Sequence, residues 1–173
     1  KNFSIVIPIY NEEEIIEEST NAIFAICKRT GIDFEIIFSE NGSTDRTKKI
    51  SEELIKKYTE IKIISNPEPN YGNALKAGFG LAKNDLVISF DIDYYSESFL
   101  HEALILNKNY SAITASKRLQ SSEDERRFVR RLATNFFVML LKTLFGTKLS
   151  DTHGMKAVKK DAIKQFVPQV VST

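Results

Sequence analysis

The chain is poor in the features that usually place a protein quickly. It has one cysteine, Cys27, and two histidines. No intramolecular disulfide can form, and no Cys/His spacing suits zinc. Tryptophan is absent, and seven glycines and four prolines are scattered, so there is no low-complexity tract and no internal repeat. The net charge is +1, which argues for neither a nucleic-acid partner nor a membrane surface. No apolar run is long enough to span a bilayer, and no secretory leader is legible. Cys27 falls inside a helical pattern and is expected to be a buried structural thiol, compatible with a reducing compartment. The sequence starts at Lys1 and stops at Thr173 without evident stop logic. It is expected to be a piece of a longer protein that continues past Thr173.

What is present is ordinary in amount and ordered in pattern. Hydrophobic residues are 42% of 173 and charged residues 27%, enough for one domain spanning 1–173 with a sizeable core. Strand-like and helix-like segments alternate. Phe3–Ile9, Phe34–Ser39, Ile61–Ser65, Leu86–Phe90 and Ala112–Ala115 read as strands. Glu12–Arg29, Thr44–Tyr58, Tyr71–Ala82 and Glu97–Lys108 read as helices with apolar faces. The alternation predicts an α/β fold with a mostly parallel central sheet and helices on both faces. After residue 116 the pattern changes. A polar loop, Leu119–Asp124, leads into a long helix, Glu125–Phe145, that carries Arg126, Arg127, Arg130 and Arg131 first and an apolar half second. That layout suits packing on the sheet or lying in a membrane interface.

Four strand ends carry polar residues that suit a ligand edge. Leu86–Asp93 is an apolar run ending in Asp91 and Asp93. On an extended strand these two face the same side, where a divalent cation holding a diphosphate, or helix capping, would account for them. Tyr10, Asn11 and Glu12 close the first strand and suit either a nucleobase and ribose or a helix cap. Glu40 and Asn41 close the second, before Gly42 and the cap candidates Ser43 and Thr44. Asn70–Gly78 opens the third helix. Gly72 there permits close backbone approach, the helix end attracts phosphate, and Lys76 adds charge or is simply solvated.

The four motifs occur in order, each after its own strand, and together the chain resembles the family 2 glycosyltransferases of GT-A (Rossmann-like) fold. The resemblance rests on Val6-Ile-Pro-Ile-Tyr-Asn-Glu-Glu13, Asn41-Gly-Ser-Thr-Asp-Arg-Thr47, Tyr71-Gly-Asn-Ala-Leu-Lys-Ala-Gly-Phe79 and Asp91-Ile-Asp93. Thr114-Ala-Ser-Lys-Arg118 and Asp151-Thr-His-Gly-Met-Lys156 are most similar to the polyprenyl-phosphate, or dolichol-phosphate mannose or glucose synthase, branch. Residues 119–148 would then form its acceptor-side loop and amphipathic helix.

The resemblance implies roles. Pro8, Tyr10, Glu12, Glu40, Asn41, Gly72, Lys76 and Asp91 would bind a GDP- or UDP-sugar. Asp91 and Asp93 would hold Mg²⁺ or Mn²⁺. Lys117, Arg118 and Arg131 would receive the phosphate of a polyprenyl acceptor, at the cytoplasmic face of a membrane touched peripherally. A lipid phosphate is already an anionic nucleophile and needs cations rather than a base. A sugar hydroxyl acceptor, as in polysaccharide synthesis, would need a base, for which Asp151 is the candidate. His153 reads as a supporting group. The chain departs from the family pattern at Glu40-Asn41, where an Asp pair is usual, at Glu68-Pro-Asn70, at Tyr95 and at Lys156. The departures at Glu40-Asn41 and Pro67–Asn70 also motivate a reading as a binding domain without catalysis, against which the intact Asp91 and Asp93 argue.

Overall fold

The computed structural model describes residues 2–115 and 154–164. The first strand, β1 (Phe3–Ile9), has every residue but Pro8 buried, as a continuous β-branched and aromatic run requires of a strand covered on both faces. It is followed by α1 (Ile16–Arg29), β2 (Phe34–Glu40), α2 (Thr47–Lys57), β3 (Ile61–Ser65), α3 (Tyr71–Leu81), β4 (Leu86–Ser89), α4 (Glu97–Leu106) and β5 (Ala112–Thr114). After the residues outside the description come β6 (Lys156–Lys159) and a short α5 (Lys160–Lys164). The sheet order is β3-β2-β1-β4-β6-β5. The first four strands pair in parallel, whereas β6 runs antiparallel to both β4 and β5. The α/β class and mostly parallel sheet predicted from the alternation are therefore present.

Side-chain alternation divides the helices between the two faces. Val6 and Ile37 point to the face where α3 ends, in a cluster with Ala82 and Val87 that Leu75 and Phe79 cover. Phe3 stacks on Phe34, and Phe34 meets Phe24 of α1 edge-on, so the odd residues of β1 and the even residues of β2 face α1. Cys27 of α1 is fully buried, and burial pushes its thiol up to about 12. It is the inert core thiol expected from its place in the helix.

Gly78 sets how closely α3 lies on the sheet. A Cβ built there would collide with Cγ1 of Val6, a stiff side chain on the central strand. Gly78→Ala is therefore expected to destabilise the fold by about 1–3 kcal/mol despite alanine's better helix propensity. A denaturant titration checks this, and Val6→Ala in the same chain should recover part of the loss. A loss unchanged by Val6→Ala would place the strain elsewhere.

Two helices start later than the sequence pattern predicts. α1 starts at Ile16, not Glu12, because Asn11 takes a left-handed backbone (φ 54°) and residues 13–15 form a turn. α2 starts at Thr47 rather than Thr44. The β6 strand was not predicted. Its sequence, Lys-Ala-Val-Lys, is short and half polar, and only its long-range partners β4 and β5 make it a strand.

Candidate active site

The strand order supplies the crevice. From β1 the chain proceeds to β2 and β3 on one side, and then crosses to β4 on the other. The C-terminal ends of β1 and β4 thus flank a topological switch point. β1 pairs with β4 only over Phe3–Val6 and with β2 over its whole length. Ile7, Pro8 and Ile9 therefore outrun β4. The Val6 carbonyl accepts from Phe90 N–H and the Ile9 carbonyl from Asn41 N–H. Pro8, two residues from Val6, therefore presents its missing N–H where β4 has already ended. A proline in a central strand costs no ladder bond at that place.

Beyond β4 the two aspartates do not lie on an extended strand, as the sequence reading assumed. Asp91 and Tyr94 exchange backbone hydrogen bonds, Asp91 N to Tyr94 O at 3.2 Å and Tyr94 N to Asp91 O at 3.0 Å. Residues 91–94 are thus a tight turn with Ile92 and Asp93 at its tip. Ile92 is buried, Asp93 is exposed and Asp91 is half-buried. The turn, not strand alternation, presents both carboxylates at the crevice.

Glu12 faces them. Burial raises its pKa, and the charges of Asp93, Asp45 and Asp91 raise it further. A carboxyl whose charged form is disfavoured by burial and by neighbouring carboxylates is one that a cation would stabilise. Among the described residues, no three acidic or imidazole side chains are gathered closely enough to hold an ion by themselves. The donor set fits a hard cation shared with a ligand, since Mg²⁺ is commonly held by one or two carboxylates together with substrate phosphate oxygens. Tyr71, the first residue of α3, donates its hydroxyl to Asp91 Oδ1 at 3.1 Å. This ties the β4 turn to the N-terminus of α3, and burial and Asp91 together push the Tyr71 phenol upward.

The loops after β1 and β2 hold each other. Asn11 Oδ1 accepts from Thr44 N–H at 2.8 Å, and Ser43 Oγ accepts from Asn11 N–H at 3.2 Å. Thr47 Oγ1 accepts from Glu12 N–H at 2.7 Å, and Asp45 accepts from both Glu13 N–H and Thr47 N–H. Asn11, Ser43 and Asp45 thus accept main-chain N–H bonds in the joint between the two loops, but neither α1 nor α2 carries the side-chain cap that one reading of the sequence gave it. Sequence reasoning missed this exchange because its spacing of about thirty residues is not local. Gly42 lies in the same joint with φ +75°, and a Cβ there would press on the Pro67 carbonyl at 3.0 Å.

The remaining expected binding residues divide. Tyr10 is 43% exposed at the crevice mouth. Glu40 is buried, and its Oε1 accepts from Ser43 N–H at 2.6 Å. Asn41 is buried, and its Oδ1 accepts from Asn70 N–H at 2.8 Å. Asn70 in turn caps α3 by accepting from Asn73 N–H at 2.9 Å. Gly72 lies in the first turn of α3, where an added Cβ would meet only the Asn70 side chain at ordinary contact distance. The chain itself therefore places no steric demand for glycine there. Lys76 is half-buried in mid-helix, more than a turn past the helix start. Lys117, Arg118, Arg131, Asp151 and His153 lie outside the described residues, as does the 119–148 segment. Beside Asp93, a hollow of about 390 Å³ runs between α1 and the turn, lined by Ile15, Ser19, Asp93 and Tyr95. A larger one of about 1000 Å³ opens at the opposite sheet edge, beside Asn2, Asn84 and Lys159.

Comparison with known proteins agrees with this architecture. Residues 4–167 match the family model described as glycosyl transferase family 2. The undecaprenyl-phosphate 4-deoxy-4-formamido-L-arabinose transferase of Edwardsiella ictaluri is 29% identical over 169 residues, covering 95% of this chain and 51% of that protein. Among solved structures, mannosyl-3-phosphoglycerate synthase from Rubrobacter xylanophilus matches with a TM-score of 0.68 at 18% identity, covering 94% of this chain and 54% of that one. Glucosyl-3-phosphoglycerate synthase from Mycobacterium tuberculosis, solved with Mg²⁺ and uridine diphosphate, matches with a TM-score of 0.63 at 19% identity, covering 94% and 58%. At these identities the structures show the fold alone, and it is that of GT-A glycosyltransferases. The chain spans about half the length of the curated relatives it matches. The chain belongs to glycosyl transferase family 2.

Proposed function

We propose that the protein of which this chain is part transfers a sugar from a nucleoside-diphosphate sugar to a polyprenyl phosphate, with inversion at the anomeric carbon. The observation that carries the reading is the acidic crevice at the switch point, where the β4 turn carries Asp91 and Asp93, Tyr71 at the start of α3 donates to Asp91, and both aspartates raise the Glu12 carboxyl. Asp91 and Asp93 would hold a divalent ion, Mg²⁺ or Mn²⁺, against the diphosphate. When bound, it would neutralise charge growing on the leaving group. The Asn70-capped end of α3 offers dipole and backbone N–H groups to the same phosphates. Tyr71 keeps Asp91 in place. The donor base, guanine or uracil by resemblance, would lie along the ends of β1 and β2 near Tyr10 and Asn41.

The acceptor side is supported by the relatives' names, which are those of undecaprenyl-phosphate transferases. Lys117, Arg118 and Arg131 would receive the lipid phosphate. The phosphate oxygen attacks the anomeric carbon as its bond to the diphosphate breaks, and no proton has to be removed from it. The 119–148 segment would meet the membrane interface from the cytoplasmic face. No helix among the described residues is long and apolar enough to cross a membrane.

The test is a screen of nucleotide sugars against undecaprenyl phosphate in detergent with Mn²⁺, using the full-length protein and scoring lipid-linked sugar. Product that requires both metal and lipid phosphate is the expected result. Transfer to a sugar hydroxyl but not to the lipid would overturn the acceptor. In the same assay, Arg131→Ala should lower transfer by at least about tenfold while leaving nucleotide affinity within twofold. An equal loss of nucleotide affinity would move Arg131 to the donor side.

A further inference from the structure

The hollow at the sheet edge opposite the crevice carries two hydrogen-bond acceptors that the chain leaves unused. It measures about 1000 Å³, the size of a small-molecule site. Ile32, Leu86, Leu104 and Ile105 give it apolar walls. Two amides line it from different elements, Asn84 between α3 and β4 and Asn107 at the end of α4. Asn84 Nδ2 donates to the Phe3 carbonyl at 2.9 Å and to Ser4 Oγ at 3.2 Å. Asn107 Nδ2 donates to the Ala103 and Leu104 carbonyls, at 3.1 Å and 2.7 Å. A backbone carbonyl can only accept, so both amides are fixed in orientation. Among the described residues no donor reaches either Oδ1. Asn107 is 7% exposed, so its oxygen has lost most of its water without a replacement. It is not sealed, since the buried side-chain polar atom left unpartnered among the described residues is Thr20 Oγ1. The oxygen therefore opens on the hollow that Asn107 lines.

Charge gives the ligand its sign. Lys83, Lys108, Lys159 and Lys160 line the hollow against Asp85 and Asp161. The Lys160 ammonium is taken up by the Ala82 carbonyl. Among the described residues, Lys83, Lys108 and Lys159 make no ion pair or side-chain hydrogen bond. They come from three places, the connection before β4, the residue after the α4 cap and the end of β6. An excess of unpaired ammonium groups favours an anion and opposes a cationic donor at the amide oxygens.

We propose that this hollow binds a phosphorylated sugar or polyol, its hydroxyls donating to Asn84 Oδ1 and Asn107 Oδ1 and its phosphate lying among Lys83, Lys108 and Lys159. Hydroxyls suit the two oxygens because each can rotate to meet an acceptor of fixed direction. Neither half of the ligand is enough. Bare phosphate leaves the amide oxygens without donors, and an uncharged sugar leaves the ammonium groups unpaired. The site is separate from the nucleotide crevice. Leu86, at the start of β4, lines the hollow, whereas Asp91 lies past the other end of that strand.

Calorimetry on the full-length protein tests this with glucose 6-phosphate, inorganic phosphate and glucose. Glucose 6-phosphate is expected to bind at least about tenfold tighter than either part alone. Saturating UDP with Mn²⁺ should leave that affinity within about twofold. Lys83 and Lys108 are exposed, so the double variant Lys83→Ala/Lys108→Ala should keep its Tm and its UDP binding. It should weaken glucose 6-phosphate at least about tenfold. Asn107→Ala should bring glucose 6-phosphate down toward the affinity of inorganic phosphate. If loss of the α4 cap unfolds that variant, the comparison of the two phosphates decides. Inorganic phosphate binding as tightly as the ester overturns the role of the amide oxygens, and glucose binding as tightly overturns the role of the lysines. Displacement by UDP, or undiminished binding to the lysine variant, puts the ligand elsewhere and overturns the site. Phosphatidylglycerol vesicles present the same hydroxyl-bearing phosphate on a lipid. Lysine-dependent binding to them but not to phosphatidylcholine vesicles, without binding of the soluble ester, assigns that chemistry to a headgroup. Binding of neither the ester nor these vesicles overturns the inference.

Discussion

Asp91→Ala and Asp93→Ala should each reduce metal-dependent nucleotide binding and sugar transfer by at least about a hundredfold, the scale of losing one preorganised charge contact to a developing anion. The two variants should fail differently. Asp91 is half-buried, and its Oδ1 holds the Tyr71 hydroxyl. Its removal also frees the tie between the β4 turn and α3. Asp93 sits exposed at the turn tip, so its removal takes away charge and little else. Asp91→Asn retains an acceptor for Tyr71 and discards the charge, which separates the two roles of that carboxylate. Calorimetry with and without Mn²⁺ reads all three variants. If affinity in the absence of metal falls as far as affinity in its presence, the pair is structural and the cation assignment is wrong. A hundredfold loss confined to the metal-dependent part is the expected result.

The architecture was legible because it rests on periodicity. The apolar runs of β1, β2 and β4 are buried on both faces, that of the edge strand β3 only in part, and each helix between them has one apolar side, so the order of elements followed from residue type alone. The antiparallel β6 was not legible. Lys156–Lys159 has nothing in its own composition to distinguish it from a loop, and its pairing is made by partners more than forty residues away in β5 and more than sixty in β4. The site was legible as a set of strand ends and misread in its geometry. Asp-x-Asp after a strand suggested one extended face, but Ile92 needs burial, and a turn that tucks Ile92 inward throws Asp93 outward. Asn11, Ser43, Thr44 and Asp45 read as local residues of their own helix starts, yet neither helix has a side-chain cap. Their exchange across two loops requires β1 and β2 to be adjacent first. Tyr71 was visible within its motif, yet its contact with Asp91 follows from the strand order and not from sequence spacing.

Glu35→Ala is expected to be among the most destabilising single substitutions away from the site, at roughly 2–4 kcal/mol for removing one partner of a largely buried, hydrogen-bonded ion pair. Glu35 is 6% exposed on β2, inside a run that sequence pattern treats as apolar. It accepts from Ser4 Oγ at 2.7 Å, from Lys83 N–H at 2.6 Å and from the Lys62 ammonium. Asn84 extends the network by donating to the Phe3 carbonyl at 2.9 Å and to Ser4 Oγ at 3.2 Å. One carboxylate therefore joins β1, β2, β3 and the α3–β4 connection at the sheet edge opposite the crevice. Burial pushes the Glu35 carboxyl upward, but Lys62, Lys83 N–H and the Ser4 hydroxyl together outweigh it and hold the group below its ordinary value of 4.5. For a carboxyl held low, the folded state binds its proton less readily than the unfolded state does. Its stabilisation is fully present above pH 4.5 and is lost as the pH falls from there through the folded-state value. Denaturant titrations between pH 7 and pH 3 on the unaltered chain should show that decline, and Glu35→Gln, which cannot titrate, should be less stable at pH 7 and flatter toward acid. If Glu35→Gln loses stability below pH 4.5 in parallel with the unaltered chain, the acid sensitivity belongs to other carboxylates. Lys62→Met should recover part of the Glu35→Ala loss, because it removes the charge left without its counter-ion, and a Lys62 that stays well hydrated at one-third side-chain exposure would keep that recovery small.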